Sequence, residues 1–163
     1  MSQLSVRSAT AADREFLWEM AYEAAFPAVQ PRPPRAAVRE PQIARYLSGW
    51  GRRGDHALVA ELGGRRVGAA WYRLFPATAP AYGFVDEQTP ELSIAVAPGR
   101  RGRGLGKALL EALLAAARED GFAALSLSVS RTNAPARALY ERCGFRIVSD
   151  EDTEASVTMC VRL

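Results

Sequence analysis

Cysteine and histidine are almost missing from this 163-residue chain, which has two of the first and one of the second. Cys143 and Cys160 lie in separate segments without a C-x-x-C spacing or a group of histidines. Zinc layouts and a disulfide framework are therefore excluded, and no metal is expected. Long apolar runs are missing too. No stretch approaches the roughly 18 residues needed to cross a bilayer, and the amino terminus lacks the basic-then-apolar layout of a signal peptide. Net charge is only +3. The arginines that supply most of it are dispersed, at Arg32 to Arg39, Arg52-Arg53, Arg65-Arg66 and Arg100 to Arg103. A polyanion-binding surface usually carries a larger excess, and no nucleic-acid motif accompanies these clusters. A soluble protein of the reducing cytoplasm is expected, with neither membrane nor nucleic acid as partner.

The 48% apolar and 24% charged residues give a globular composition, and the length suits one domain over residues 1–163. Leu4 to Ala9 alternates as a strand. Thr10 to Asp13 then has the form that caps a helix, with Phe16, Leu17, Met20, Ala24 and Ala25 on one face. Residues 27 to 41 hold five prolines and read as a loop. Ile43, Leu47 and Trp50 fall on one side of a second helix that stops at Gly51. Ala57 to Ala60 and Val67 to Tyr72 flank Gly63-Gly64 as a hairpin. Pro76 to Pro90 is a long loop with three prolines, expected to serve as a lid or substrate wall.

Glu91 to Ala97 reads as strand four, stopped by Pro98-Gly99. A long helix follows from Leu105, with Leu109, Leu113 and Ala116 on its apolar face and Gly121 at its carboxyl-terminal cap. Leu125, Leu127 and Val129 alternate with Ser126, Ser128 and Ser130 as strand five, and the helical crossover makes it parallel to strand four. Asn133 to Arg142 is a short helix with Pro135 in its first turn and Gly144 past its end. Two strands around the acidic turn at Asp150 to Glu154 close the chain.

The segment Arg101-Gly102-Arg103-Gly104-Leu105-Gly106 joins strand four to the long helix. Closely spaced glycines at a helix start leave unpaired backbone N–H groups at the positive end of the helix dipole, a cradle for phosphate. Arg100, Arg101, Arg103 and Lys107 add charge around it. A Walker loop needs four residues between its first glycine and Gly-Lys, followed by a metal-binding hydroxyl. Here three residues separate Gly102 from Gly106-Lys107, and Ala108 stands in the hydroxyl position. A dinucleotide fingerprint needs G-x-G-x-x-G, and the spacing here is G-x-G-x-G.

R-x-x-G-x-G, from Arg101 through Gly104 to Gly106, after a strand of the form L-x-I-x-V-x-P, resembles the acetyl-CoA motif of the GNAT superfamily. Asn133, Ala138, Tyr140, Gly144 and Phe145 resemble that family's carboxyl-terminal signature, and the order of elements agrees along nearly the whole chain. The resemblance implies an α/β (α+β) fold: a mixed, mostly antiparallel twisted sheet of about seven strands, with strands four and five parallel and splayed, flanked by about four helices. It implies N-acetyltransfer from acetyl-CoA to a primary amine of a small molecule, peptide or protein in a ternary complex, by a monomer or homodimer. A catalytically weak acyl-CoA-binding sensor is the alternative.

The resemblance also distributes roles. The backbone of Ile94, Ala95 and Val96 would pair with the pantetheine arm. The N–H groups of Arg101, Gly102, Arg103, Gly104, Leu105, Gly106 and Lys107 would hold the pyrophosphate. Asn133 would bond the pantetheine arm, although its position also suits a plain helix cap. Tyr140 stands where the family places a general acid, and it too belongs to the cofactor site. Relatives that acetylate ribosomal-protein amino termini carry a glutamate where this chain has Ser128, so the base is open. Glu91 is the catalytic candidate for it, with Asp86, Glu87 or a water relay as alternatives. These acids would favour a cationic acceptor. Trp71, Tyr72, Tyr82 and Phe84 are candidates for an acceptor wall, and His56 reads as structural.

Overall fold

The computed structural model describes residues 3–27, 30–149 and 155–163. The acidic turn at 150–154 lies outside the described residues. Seven strands form one sheet in the order β1-β2-β3-β4-β5-β7-β6. They are β1 (Leu4–Ser8), β2 (His56–Leu62), β3 (Arg65–Arg73), β4 (Glu91–Val96), β5 (Ala124–Ser130), β6 (Arg146–Ser149) and β7 (Ser156–Arg162). β4 and β5 are parallel, and the other neighbours run antiparallel. The helices are α1 (Arg14–Ala25), α2 (Pro41–Ala44), α3 (Leu105–Glu119) and α4 (Ala134–Arg142). This is the architecture the resemblance implied.

Strand alternation sorts the side chains into two cores. Leu92, Leu125, Leu127, Val129, Val157 and Met159 face α3 and α4 and pack with Leu109, Leu110, Leu113 and Phe145. Val59, Ala69, Trp71 and Ala95 face the opposite way, toward Phe16, Leu17 and Met20 of α1 and Val38 and Leu47 beyond it. The apolar face of α1 turns from the expected one near its end: Ala21, Tyr22 and Glu23 are buried, whereas Ala25 is exposed. The proline-arginine segment causes this by folding over the helix end, where Tyr22 donates to the Pro33 carbonyl at 2.6 Å.

The second helix is shorter than its pattern suggested. A 3-10 helix at Arg35–Arg39 leads into the single turn of α2, and residues 45–49 form turns. Carbonyls that would carry the helix onward are used elsewhere. Arg73 donates to the Arg45 carbonyl at 3.0 Å and to the Ser48 carbonyl at 2.6 Å, and Trp71 Nε1 donates to the Tyr46 carbonyl at 3.1 Å. A carbonyl captured by a tertiary donor no longer favours a helical N–H four residues on.

Two Schellman endings fix the site-bearing helices. After α3, Gly121 (φ 86°) donates to Arg118 and Phe122 to Ala117. After α4, Gly144 (φ 95°) donates to Glu141 and Phe145 to Tyr140. The second closure sets the Phe145 ring 5.8 Å from that of Tyr140, the contact expected between C″ and C3. The Gly-Phe pair of the signature therefore positions its tyrosine.

Candidate active site

β4 and β5 share one register pair, Glu91 opposite Ser126, with Ser126 N–H donating to the Pro90 carbonyl at 3.0 Å. Beyond that point the strands part. The edge of β4 from Ser93 to Val96 that faces β5 therefore lacks a strand partner. Half-buried main-chain groups of this kind require donors and acceptors from some other source. Past Val96 the chain turns through Pro98-Gly99 into the arginine-glycine segment. Gly102 (φ 79°) and Gly104 (φ 75°) adopt left-handed backbone there, and Gly104 is the amino-terminal cap of α3. The first helical bond outside the helix proper runs from Ala108 N–H to the Gly104 carbonyl. Among the described residues the N–H groups from Arg101 to Lys107 have no hydrogen-bond partner. A Cβ on Gly102 or Gly104 would meet nothing within 4 Å, so the space over the cradle is open. Unpaired donors, open space and an unpaired strand edge fit a long ligand that ends in phosphates.

Side chains around the loop divide into bound and free. Arg101 lies 3.8 Å from the buried Glu23 carboxylate, which also receives Arg32. Lys107 pairs with Glu111 along the helix at 3.5 Å. Arg103 is exposed. Gly106 lets Leu139 of α4 approach, since a Cβ would lie 3.4 Å from Leu139 Cδ2.

At the joined end of the splay, Glu91 is only 2% exposed. Its Oε2 accepts from the Tyr46 hydroxyl, and its Oε1 has no hydrogen-bond partner. Burial pushes the carboxyl up to about 7, against the opposing pull of the Tyr46 bond, the Gly83 amide and the Arg45 charge. The 76–90 loop reaches this point. Ser126 Oγ donates to the Gly83 carbonyl at 2.7 Å, and a Cβ at Gly83 would lie 2.5 Å from the Leu127 carbonyl carbon. The loop is thus wedged against β5 beside Glu91.

Tyr140 is buried, and its hydroxyl has no hydrogen-bond partner among the described residues. Burial raises its phenol to about 12, so it is protonated at neutral pH. Asn133 caps α4, its Oδ1 accepting from Ala136 N–H at 3.3 Å, which leaves its amide N–H groups for another partner. Ser128 lies on β5 opposite Thr158, on the same face as Ser126.

Other candidates have local duties. Asp86 accepts from Gln88 N–H at 2.9 Å and Glu87 from Ala77 N–H at 2.8 Å, so both staple their own loop. Trp71 and Tyr72 are fully buried core residues, which leaves the exposed Tyr82 and half-buried Phe84 as possible wall. His56 lies 2.9 Å from Asp120, which also accepts from Tyr72, at the far end of α3 from the loop. Sequence reasoning missed Tyr46, Arg45 and Gly83. Tyr46 follows Ile43 by three positions, a spacing that signals a shared side.

A mixed sheet opened between its parallel strands, with a glycine-rich helix start at the open end and a buried acid at the closed end, defines an α/β domain suited to an extended phosphorylated ligand. Comparison with known proteins makes this specific. The chain belongs to the acetyltransferase (GNAT) family, whose model matches residues 15–145. A mycothiol acetyltransferase from Arthrobacter sp. (strain FB24) is 30% identical over 145 residues, covering 87% of this chain and 42% of that protein. The chain spans less than half the length of the curated relatives it matches. The crystal structure of ribosomal-protein-alanine N-acetyltransferase from Brucella melitensis superposes with a TM-score of 0.71 at 28% identity, covering 98% of this chain and 99% of that one. The PaiA N-acetyltransferase from Thermoplasma acidophilum, in complex with coenzyme A, shares the fold with a TM-score of 0.70 at 17% identity over 99% of each chain.

Proposed function

We propose that this protein transfers the acetyl group of acetyl-CoA to a primary amine by direct attack in a ternary complex. The observation that carries the reading is Glu91: a buried carboxyl with an ionisation near neutrality and a free acceptor atom, at the closed end of a splay. Acetyl-CoA supplies an activated thioester. The N–H groups from Arg101 to Lys107 would hold its pyrophosphate, and the free edge of β4 at Ile94, Ala95 and Val96 would pair with its amide-bearing arm. Asn133 has amide N–H groups to offer the same arm.

An amine attacks only when neutral, and it must lose a proton as the new bond forms. Glu91, ionised above about pH 7, is placed to accept that proton. Backbone N–H groups on the open edge of β4 can stabilise charge on the carbonyl oxygen. The Tyr140 hydroxyl, protonated and without a protein partner, can donate to the departing thiolate. Ser128 supplies no carboxylate on β5, and Glu91 provides one from β4. This favours an enzyme over an acyl-CoA sensor. The names of the related N-acetyltransferases support an amine as acceptor. With Asp86 and Glu87 engaged by their own loop, Arg45 is the charge that bears on Glu91, and preference for a cationic acceptor has less support than the sequence alone suggested.

A thiol-release assay tests the reading. Purified protein with acetyl-CoA and a panel of amines, peptides and aminoglycosides should release CoA thiol with at least one acceptor. Acetyl-CoA binding without release across the panel would leave the sensor reading instead.

A further inference from the structure

Glu91 is held from one side by a residue that no motif marks. Tyr46, in the turn after α2, is 45 positions away in sequence, yet its hydroxyl donates to Glu91 Oε2. The same oxygen of Tyr46 accepts from the Tyr82 N–H at 3.1 Å. That second bond fixes the polarity of the first. An amide can only donate and an ionised carboxylate can only accept, so with Tyr82 N–H on the oxygen the single hydroxyl proton points to the Glu91 carboxylate. The ring is anchored independently, edge-on to Phe75 with centroids 5.4 Å apart, and the Tyr46 carbonyl accepts from Trp71.

We propose that Tyr46 is a positioning residue for Glu91, occupying Oε2 so that Oε1 is the atom that takes up and releases the proton of the acceptor amine. The proposal rests on the reading of Glu91 as the base. The Tyr46 hydroxyl has no other acceptor among the described residues, so it keeps donating to Oε2 when the carboxyl takes up a proton, and that proton sits on Oε1, the atom without a partner. Oε1 is itself buried, so the proton that leaves the amine nitrogen as the nitrogen–carbon bond forms reaches it through a bridging water and becomes the carboxyl O–H; charge and atoms balance.

The surroundings leave few other groups to set this behaviour. From the turn after α2, Arg45 lowers the carboxyl's ionisation through its charge, and from the 76–90 loop the Gly83 N–H lowers it too, close enough to favour the charged form but short of hydrogen-bond geometry with Oε1. Arg73, opposite Glu91 on β3, is bound by Asp55 through both Nε and Nη2. Ser126 on β5 is neutral and bonded to Gly83. Glu23 on α1 is paired with Arg32 and Arg101. Cys160 on β7, beside Ser126, has its thiol ionisation raised and is neutral near pH 7.

The test is the carbon-13 titration of the Glu91 carboxyl in wild type and Tyr46→Phe, assigned by its loss in Glu91→Gln, alongside the pH profile of kcat/KM. The phenyl ring preserves the contact with Phe75. Removing the donor should raise the Glu91 titration by about one unit and carry the ascending limb of the rate profile with it, restoring most activity at high pH. An unmoved Glu91 titration overturns the proposal. A limb lowered equally at every pH, with no shift, would mark Tyr46 as structural and also overturn it. A titration that moves while the rate profile stays fixed would retain the Tyr46–Glu91 coupling but sink Glu91 as base, and with it the proposed catalytic use of that coupling. Should Tyr46→Phe fail to fold, protein labelled with 3-fluorotyrosine, a stronger donor, should show the Glu91 titration displaced downward. No displacement there would count against the proposal equally.

Discussion

Glu91 and Ser126 stand opposite each other where β4 and β5 meet, and the two strands separate beyond them. The pair is the closed end of a gap whose open end is the cradle before α3. Pro90 and Gly83 brace the joint, one by a main-chain bond to Ser126 N–H and the other by accepting from Ser126 Oγ. Glu91 therefore stands at the start of β4 and the glycine-rich helix start follows its far end, so the strand sets the spacing between them.

Gly83 has no space for a side chain, because a Cβ would lie 2.5 Å from the Leu127 carbonyl carbon and 2.7 Å from Ser128 N. Both obstacles are backbone. Gly83→Ala should displace the loop, lower stability by about 1–3 kcal/mol in denaturant titrations, and reduce turnover more than cofactor affinity. Unchanged stability would show that the loop is not wedged against β5.

Gly104 caps α3 with φ 75° in open space, so a substitution there acts through backbone geometry and not through collision. Gly104→Val should cost about 1–2 kcal/mol of stability, since a β-branched residue is strained in left-handed backbone. It should also weaken acetyl-CoA binding measured by calorimetry by about tenfold or more. Unaltered affinity would argue against the pyrophosphate being held there.

Tyr140 is buried beside Phe145 with its hydroxyl unpartnered. Tyr140→Phe keeps the packing and removes the proton. We expect turnover to fall by about 10²-fold or more with the acetyl-CoA Kd nearly unchanged. An unchanged rate would remove it as the acid.

The strands and the two site-bearing helices were legible because each has an unbroken local pattern: alternation at Leu125 to Ser130, a continuous apolar face in α3, glycines just past both helix ends. The glycine-rich start of α3, proposed as the phosphate cradle, was legible because its geometry is a property of consecutive residues. Glu91 was named as a candidate, while its burial was not argued, although it shares a strand face with Ser93 and Ala95 and so points toward the α1 side. Tyr46 was hidden because its role depends on a turn created by tertiary capture of carbonyls at Arg45, Tyr46 and Ser48. Asp86 and Glu87 looked free because sequence does not reveal which N–H groups a proline-rich loop leaves for its own acids. Trp71 and Tyr72 looked like a wall because a strand pattern does not say whether both faces of the sheet are covered.

The pH dependence of kcat/KM for wild type against Glu91→Gln tests the central claim most directly, with an acceptor amine of low basicity so that its own ionisation lies outside the range. Glu91 must be ionised to accept the proton, and its carboxyl is raised to about 7. Wild type should lose activity as pH falls through that value, about tenfold per unit below it. Glu91→Gln should be slower by about 10²-fold or more and lack that limb. A variant that keeps the limb and most of the rate would contradict Glu91 as the base.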